Sequence, residues 1–266
     1  RYGAGGTFDT SNRRGTVAPQ EGNWGGIYIG QGSAGSLDYA HVYYGGGTTR
    51  IDGGFASFNA IEAHQAQLRI ANSRIQDNAD GVEDQAPTNR VGRGTNFSGA
   101  IFVRGSQPII VNNRISDNEG AAINIDVNPL NSSLVDDTGR STGLLAKSGS
   151  YVDNQGALVS GNRIGNNDVN GMVVRGQPLT TESVWDDTSI VHVVQDEITS
   201  SNVYTFGGLR LESKPTESLV VKFGGGATGN VQGLTATGQN LDIASRIGGS
   251  IQIVGQPNFP VVLTSF

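Results

Sequence analysis

Three near-copies of one polar phrase constrain this chain more than any other feature of its sequence. The phrases are "ANSRIQDNADG", "NNRISDNEGAAINI" and "GNRIGNNDVNGMVV", and their central isoleucines are Ile75, Ile115 and Ile164. These isoleucines are separated by 40 and 49 residues. A chain that repeats one motif in this way is expected to build a repeated structural unit, with loops of different size between the copies.

A second marker gives the same intervals. Apolar triplets preceded by small residues begin at Ile27, Ile61, Ile101, Ile123 and Met172. The step from Ile61 to Ile101 is again 40 residues and the step from Ile123 to Met172 is again 49, whereas Ile101 and Ile123 are 22 apart. Because both markers shift together, we infer a unit of about 22 residues that is interrupted by long loops near 83–98 and 127–150.

The residues within the unit predict strands. Short β-branched runs are bounded by Gly, Asn and Asp, and helical periodicity is not sustained in any window. A unit of about 22 residues is too short for a strand followed by a full crossover helix. We therefore predict an all-β fold with three short strands per coil, in which each coil stacks on the next by parallel pairing at about 4.8 Å.

Such stacking places equivalent residues in columns. Two columns of hydrogen-bonding side chains are predicted, namely Asn78, Asn118 and Asn167 in one and Ser73, Asn113 and Asn162 in the other. Stacked asparagines at a corner bond to their copies above and below, and asparagine tolerates the left-handed backbone that we expect the corner to require. Ile75, Ile115 and Ile164 are predicted to point inward between the corners.

The phrases "NSRIQDN", "NNRISDN" and "GNRIGNN", each followed by a small residue and an apolar triplet, resemble the repeat of the pectate-lyase-like superfamily. The resemblance covers roughly residues 22–174 and implies a right-handed parallel β-helix. More narrowly, "GNWGGIYI", "VRGQPLTTESVWDDTSIVHVV" and "PVVLTSF" resemble β-helical segments of very large bacterial extracellular proteins. That second resemblance implies an extracellular or cell-surface location.

We interpret the chain as one domain over 1–266, with 1–21 continuing from a preceding unit, 22–174 as regular coils and 175–266 as wider coils. In the resembled proteins a segment like "PVVLTS" runs on into one like "GAGGTFDT", so the last residues resemble the predecessor of the first. Neither end shows the helix or charged loop that caps a repeat protein. The expectation is head-to-tail stacking, in a covalent array or a filament, and the alternative is arbitrary boundaries with frayed ends.

Calcium sites are predicted in two places. Asp9 opens "DTSNRRG", which partly follows the spacing of a calcium loop, and an Asx turn is the alternative. The insertion "DVNPLNSSLVDDTGR" contains Asp126, Asn128, Asp136 and Asp137, whose carboxylate and amide oxygens suit calcium. The alternative for this insertion is a solvated loop that is hydrogen-bonded to itself.

Catalytic signals are few. "VWDDTSIVHVV" contains Trp185, Asp186, Asp187 and His192, and a carboxylate with a histidine can perform acid–base chemistry. The alternation of this stretch instead favours a strand, with Trp185 closing a turn or covering a face. His41 and His64 are isolated from other histidines, and no pair has the spacing of a zinc site. We predict that the chain is not an enzyme.

Two charged columns are expected beside the asparagines. They consist of Arg74, Arg114 and Arg163 in one and Asp77, Asp117 and Asn166 in the other. Opposite signs favour internal ion pairing, although a row of arginines can also bind an acidic glycan. In pectate-lyase-like enzymes carboxylates and an arginine share an exposed sheet, and hydrolysis of a glycosidic bond needs two carboxylates across a cleft.

Charge and hydropathy limit the partners. The net charge of −6 argues against a nucleic-acid surface, and no apolar run approaches the roughly 18 residues of a membrane span.

Our first hypothesis is a structural unit of a bacterial extracellular fibre or surface protein that stacks with its like. The alternatives are a carbohydrate-binding or carbohydrate-active β-helix, which a groove holding Asp and Arg together would favour, and an adhesin segment that contacts a partner through its long loops.

Overall fold

A computed structural model describes residues 18–82, 90–128, 157–180, 182–202, 208–224, 232–239 and 247–266. These ranges consist of strands, turns and connecting segments with almost no helix, so the prediction of an all-β fold is confirmed. The calcium candidates Asp9, Asp136 and Asp137 lie outside the described residues.

The strands are short and follow one another closely. The first eight are β1 (Ile27–Ile29), β2 (Ala34–Asp38), β3 (His41–Tyr43), β4 (Thr48–Ile51), β5 (Gly54–Ser57), β6 (Ile61–His64), β7 (Gln67–Ala71) and β8 (Arg74–Gln76). The next seven are β9 (Ile101–Arg104), β10 (Ile109–Val111), β11 (Arg114–Ser116), β12 (Ala121–Asp126), β13 (Leu158–Ser160), β14 (Arg163–Gly165) and β15 (Val169–Arg175). The remaining strands are β16 (Pro178–Leu179), β17 (Glu182–Trp185), β18 (His192–Val194), β19 (Glu197–Ser200), β20 (Gly208–Glu212), β21 (Val220–Phe223), β22 (Gly233–Ala236), β23 (Gly238–Gln239), β24 (Ile247–Gly248), β25 (Ser250–Val254) and β26 (Val262–Ser265).

One eight-stranded parallel sheet, here called the main sheet, extends through the described structure in the order β1-β6-β9-β12-β15-β18-β21-β26. Its central register pairs Ile61 with Ile101, Ile101 with Ile123, and Ile123 with Met172. The apolar triplets of the sequence are therefore equivalent positions, as their spacing predicted. The same column continues through His192 and on to later strands.

Between strands of the main sheet the chain makes what we call a circuit. The early circuits visit a second parallel sheet, β13-β10-β7-β2, and then a third, β14-β11-β8-β3, before they return. In the third sheet Ile75, Ile115 and Ile164 are direct register partners. Three strands per circuit, joined by turns, agree with the arrangement predicted from the 22-residue interval.

The side sheets change at β16. Later circuits visit two separate sheets, β16-β19-β22 and β17-β20-β25, while the main sheet continues without interruption. The circuits here differ in length, since Met172, His192, Val221 and Leu263 follow one another at 20, 29 and 42 residues. Two antiparallel pairs, β4 with β5 and β23 with β24, are additions that the repeat did not indicate.

The core lies on the inner faces of these sheets. Alternate residues of each strand point inward, and Ile61, Ile101 and Ile123 have no exposed surface. Ile75 and Ile115 are equally buried, whereas Ile164 is half-buried and packs against the same cluster. Burial of each isoleucine contributes about 1.5–3 kcal/mol, so stacked apolar columns supply much of the folding energy.

Candidate functional site

The first asparagine column ties three circuits together at a corner. Nδ2 of Asn78 donates to Oδ1 of Asn118 at 2.8 Å, and Nδ2 of Asn118 donates to Oδ1 of Asn167 at 2.8 Å. The amides of Asn118 and Asn167 also donate to the carbonyl oxygens of Ile75 and Ile115, each at 3.1 Å. All three asparagines are buried. Their polar atoms therefore form hydrogen bonds with one another and with the main chain in place of hydrogen bonds with water.

The second column repeats this arrangement at the preceding corner. The backbone N of Ser73 donates to Oδ1 of Asn113 at 2.8 Å, and Nδ2 of Asn113 donates to Oδ1 of Asn162 at 3.0 Å. Nδ2 of Asn162 continues to the carbonyl oxygen of Ile110 at 2.7 Å. The structure thus brings together the residues that the sequence grouped in two columns.

The backbone of these corners corrects one part of the sequence argument. The left-handed conformation belongs to the residue before each stacked side chain. Five of these residues have φ between 51° and 58°, and they are Asn72, Asp77, Asn112, Asp117 and Asn166. The sixth is Gly161, before Asn162, with φ of 67°. The reversal of the chain at that position lets the next side chain point inward to cap the main chain. The stacked asparagines themselves therefore do not carry the positive φ that we had assigned to them.

A cleft of about 480 Å³ lies on the outer face of the main sheet. Its floor includes Phe102 and Asn124, and one wall is formed by the segment 90–98 with Phe97. Phe97 is 52% exposed and its ring stacks on that of buried Phe102, with a centroid separation of 6.4 Å. An exposed aromatic ring beside polar groups is suited to contact a ligand that has both apolar and hydroxyl surfaces.

Arg175 is the central cation of the cleft. Its guanidinium lies 4.4 Å from the ring centroid of Phe102 and 3.5 Å from a carboxylate oxygen of Asp126, and it donates to Oδ1 of Asn124 and, at 2.9 Å, to the carbonyl oxygen of Val103. Burial lowers the pKa of Arg175 to about 10, and Asp126 opposes that shift. Burial likewise raises the pKa of Asp126, against the effect of Arg175.

Further charged groups lie around the opening. Arg104, Asp168 and Asp196 line the cleft, and all three are exposed. A carboxylate oxygen of Asp168 accepts a hydrogen bond from the backbone N of Gly120 at 2.9 Å. The cleft therefore holds carboxylates and guanidinium groups together, which is the condition that favoured the carbohydrate hypothesis.

A buried ionic cluster fastens the segment 90–98 to the main sheet, and sequence reasoning missed it. Glu62 has no exposed surface, and its Oε1 lies 2.6 Å from Nε2 of His64 and also accepts from the guanidinium of Arg90. Arg90 donates to the carbonyl oxygen of Ser57 as well. The signal available was the polar pair of Glu62 and His64 two residues apart in an apolar strand, because alternation places both on one face.

Asparagine side chains complete this attachment. Nδ2 of Asn96 donates to Oδ1 of Asn59 and to the carbonyl oxygen of Gly81, both at 2.9 Å. Nδ2 of Asn59 in turn donates to the carbonyl oxygens of Phe97 and Gly99. The wall of the cleft is therefore held in place by buried polar groups.

The structure places Trp185 and His192 in the interior. Their rings stack with centroids 5.2 Å apart, and each residue is at most 2% exposed. Trp185 thus belongs to the core and neither closes a turn nor covers an outer face. Burial lowers the pKa of His192 to about 4, so the ring is neutral and enclosed. Asp187 accepts from the backbone N of Val159 at 3.1 Å.

The calcium candidates in the described ranges have protein partners. Asp126 faces Arg175 and accepts from the backbone N of Gly105 at 3.0 Å, and Oδ1 of Asn128 accepts from the backbone N of Thr180 at 3.1 Å. Across the described ranges, no group of three or more His, Asp or Glu side chains is arranged to hold a metal ion. Calcium binding that uses the remaining candidates stays a prediction.

The charged columns form as expected but do not pair. Arg74, Arg114 and Arg163 are direct register partners. For the part of the chain that the structure describes, no ion pair joins them to Asp77 or Asp117. Side-chain hydrogen bonding by Asn166 is the main cause that lowers the pKa of Asp117, and Arg114 contributes least. The expectation of internal ion pairing is wrong for these residues.

Compared with protein-family models, with curated proteins and with solved structures, the chain matches none of them. Within the described residues, no helix has the length and apolar character needed to cross a membrane.

Proposed function

We propose that this chain is a right-handed parallel β-helix that serves as a rigid unit of a bacterial extracellular or surface protein and stacks head to tail with like units. The observation that carries the proposal is the pair of buried asparagine columns, which link three successive circuits in constant register. A repeat held by identical contacts between neighbours is stiff along its axis.

Head-to-tail stacking of like units is expected from the parallel strand pairing of the main sheet. A parallel sheet in which each strand pairs with the next in one register is extended by any further strand of the same spacing. A contact of this kind is heterologous and does not close, so it produces a linear assembly.

Negative-stain electron microscopy of the isolated chain at rising concentration, with and without calcium, tests this function. We expect filaments of uniform width that lengthen with concentration. Dispersed short rods at every concentration would overturn non-covalent stacking of this chain, and compact particles without a rod shape would overturn the β-helix itself.

A second function is favoured by the cleft on the main sheet, which we propose binds a short oligosaccharide. The support is the combination of Phe97, Arg104 and Asp196 around a concave site of about 480 Å³. Exposed rings contact the apolar faces of sugars, and charged groups on the rim fix hydroxyls or carboxylates.

Calorimetric titration with a panel of neutral and acidic oligosaccharides tests the cleft. Phe97→Ala and Asp196→Asn should each weaken binding. The matched control is Phe55→Ala, because Phe55 is 60% exposed in the β4–β5 hairpin and does not line the cleft. If the Phe97→Ala variant and the unmodified chain bind the oligosaccharide with equal affinity, the cleft is not the binding site.

A further inference from the structure

Strand β15 contains Asn170 followed by Gly171, which is the only Asn-Gly pair in the chain. In such a pair the backbone nitrogen of the glycine can attack the side-chain amide of the asparagine. Glycine favours this attack because it has no Cβ to hinder the approach or to restrict rotation of the main chain. Asn170 is exposed to solvent, so the water that completes the reaction has access to it.

The pair lies where β15 carries one more residue than its neighbour. Val169 pairs with Ala121 and Met172 pairs with Ile123, so three steps along β15 match two along β12. An extra residue of this kind interrupts the ladder of backbone hydrogen bonds and bends the strand. The main chain at Asn170 is therefore less constrained than in the regular strands, and ring closure requires that it rotate.

Packing against the next circuit requires the glycine of this pair. A Cβ added to Gly171 would lie 2.7 Å from the carbonyl oxygen of Val191 and 3.2 Å from Cγ2 of Val193. The first distance is much shorter than a van der Waals contact, and the oxygen belongs to the main chain. Any larger residue would therefore push the chain at Val191 away from β15. The main sheet thus keeps at this position the residue that leaves the preceding amide most open to attack.

The first asparagine column activates the side chain of Asn170. Its Oδ1 accepts hydrogen bonds from the backbone N of Asn167 at 2.9 Å and from Nδ2 of Asn167 at 3.2 Å. Two donors on a carbonyl oxygen stabilise the negative charge that develops there when a nucleophile attacks the carbon. Within the described structure no hydrogen bond holds Nδ2 of Asn170, the group that would leave. Nδ2 of Asn118, by contrast, donates to two acceptors.

We propose that Asn170 is a site of spontaneous deamidation in the folded protein. The backbone nitrogen of Gly171 loses its proton to hydroxide and attacks Cγ of Asn170, which forms an N–Cγ bond. The Cγ–Nδ2 bond then breaks, and ammonia leaves after taking a proton from water. Water opens the resulting succinimide ring at either carbonyl carbon and yields aspartate or isoaspartate.

The two products affect the main sheet differently. Each adds a negative charge, and aspartate keeps a side-chain oxygen to which Asn167 can donate. Isoaspartate places an additional methylene in the main chain between Val169 and Met172, whose partners on β12 are fixed. The modification therefore acts on the strand that joins the early circuits to those with different side sheets.

Incubation of the folded chain at mildly alkaline pH in water labelled with heavy oxygen, followed by peptide mapping with mass spectrometry, tests the site. We expect Asn170 to convert at least about ten-fold faster than Asn23. Asn23 is the matched control because it is also exposed and its Oδ1 accepts from the backbone N of Gln20 at 2.9 Å, but a tryptophan follows it. Asn170→Gln should abolish conversion at this position, since glutamine has to close a larger ring.

The same incubation in denaturant separates the effect of the fold from that of the Asn-Gly pair. In the denatured chain the donors of Asn167 are no longer positioned, and conversion there shows that the assay detects the reaction. The proposal is overturned if Asn170 converts only in denaturant, or if it converts no faster than Asn23 in the folded chain. Uptake of heavy oxygen at Asn170 in the folded chain, and its loss in Asn170→Gln, would support it.

Discussion

At the scale of single residues, Asn118 shows how much depends on a side-chain amide. Its Oδ1 accepts from both the backbone N and Nδ2 of Asn78, and its Nδ2 donates to Ile75 and Asn167. Each hydrogen bond crosses from one circuit to another. The residue is therefore a connector between circuits as well as part of a corner.

Asn118→Asp should destabilise the protein by about 3 kcal/mol. The change removes the NH₂ donor, leaves the carbonyl oxygen of Ile75 without that partner, and places a carboxylate against the amide oxygen of Asn167. Chemical denaturation provides the measurement. Asn23→Asp is the control, because exposed Asn23 uses its Oδ1 to accept from Gln20, which a carboxylate also does. An unchanged midpoint for Asn118→Asp would contradict the role of the column.

His192 should make stability depend on pH. Its pKa is about 4 in the folded chain against 6.5 in a free histidine. Above pH 6.5 the ring is neutral in both states, and as pH falls from 6.5 to 4 the unfolded chain takes up the proton first, so stability is lost across that window. The loss attributable to this residue approaches roughly 3 kcal/mol.

His192→Leu isolates that contribution, because the neighbours of His192 in the register are Met172 and Val221. Relative to the unmodified chain, the variant should gain stability progressively between pH 6.5 and 4. A constant difference between the two denaturation curves over that range would contradict a buried neutral ring.

Sequence reasoning identified the asparagine columns because a corner repeats its chemistry in every circuit. It assigned the left-handed backbone to the wrong residue, since Asn118 and its predecessor Asp117 are both polar and nothing in the pattern separates them. It also missed the pairing of Glu62 with Arg90, because Arg90 lies in a long connecting segment that occurs once. Unique contacts leave no periodic trace in one sequence.

At the scale of elements, the segment 90–98 depends on Arg90. Arg90→Met should destabilise the protein by about 3–5 kcal/mol, because Glu62 would remain buried without its guanidinium partner. The substitution should also loosen the attachment of the segment 90–98, which forms a wall of the cleft, to the main sheet. Thermal unfolding measures the first effect, and proteolysis within 90–98 measures the second.

Two further variants separate charge from packing. Arg93→Met, in the same segment, alters a partly exposed cation near the ring of Tyr28 and should change stability little. Arg90→Met combined with Glu62→Gln should recover part of the loss, because a neutral amide replaces the carboxylate that has lost its guanidinium partner. If the double variant is as unstable as Arg90→Met alone, the buried charge is not the cause.

The sequence predicts wider coils over 175–266, but it does not predict that both side sheets are replaced from β16 onward. The polar phrase ends with the circuit of Ile164, and the later strands β17, β20 and β25 carry no equivalent of it. The main sheet nevertheless continues through "HVV" and "VVKF", whose spacing of 29 residues differs from the earlier intervals. Register here depends on packing against the previous strand, which a single sequence does not display.

At the scale of the whole molecule, burial is uneven along the main sheet. Residues of β6, β9 and β12 are mostly buried, whereas the residues of β26 are all exposed. Local opening costs least where few apolar contacts must be broken. The protection of backbone amides against hydrogen exchange should therefore differ strongly between strands of one sheet.

Hydrogen exchange followed by mass spectrometry measures this gradient. Amides of β6, β9 and β12 should exchange most slowly, and those of β25 and β26 fastest. Stacking of a second copy on β26 would slow its exchange as concentration rises. Equal protection of β9 and β26 in the dilute chain would contradict the gradient.

The central triplets of the main sheet keep one residue-to-residue register, although β12 and β15 shift between Ala121 and Ile123. The interval between the strands meanwhile varies from 20 to 49 residues. The length of a connecting segment therefore does not determine the position of the strands that it joins. A segment can be lengthened or exchanged without moving any strand. Contact groups on such segments are placed at multiples of the strand spacing whatever their own size. The fold therefore allows its connecting segments to diversify one at a time, with the distance between any two of them fixed in advance by the strands to which they are attached.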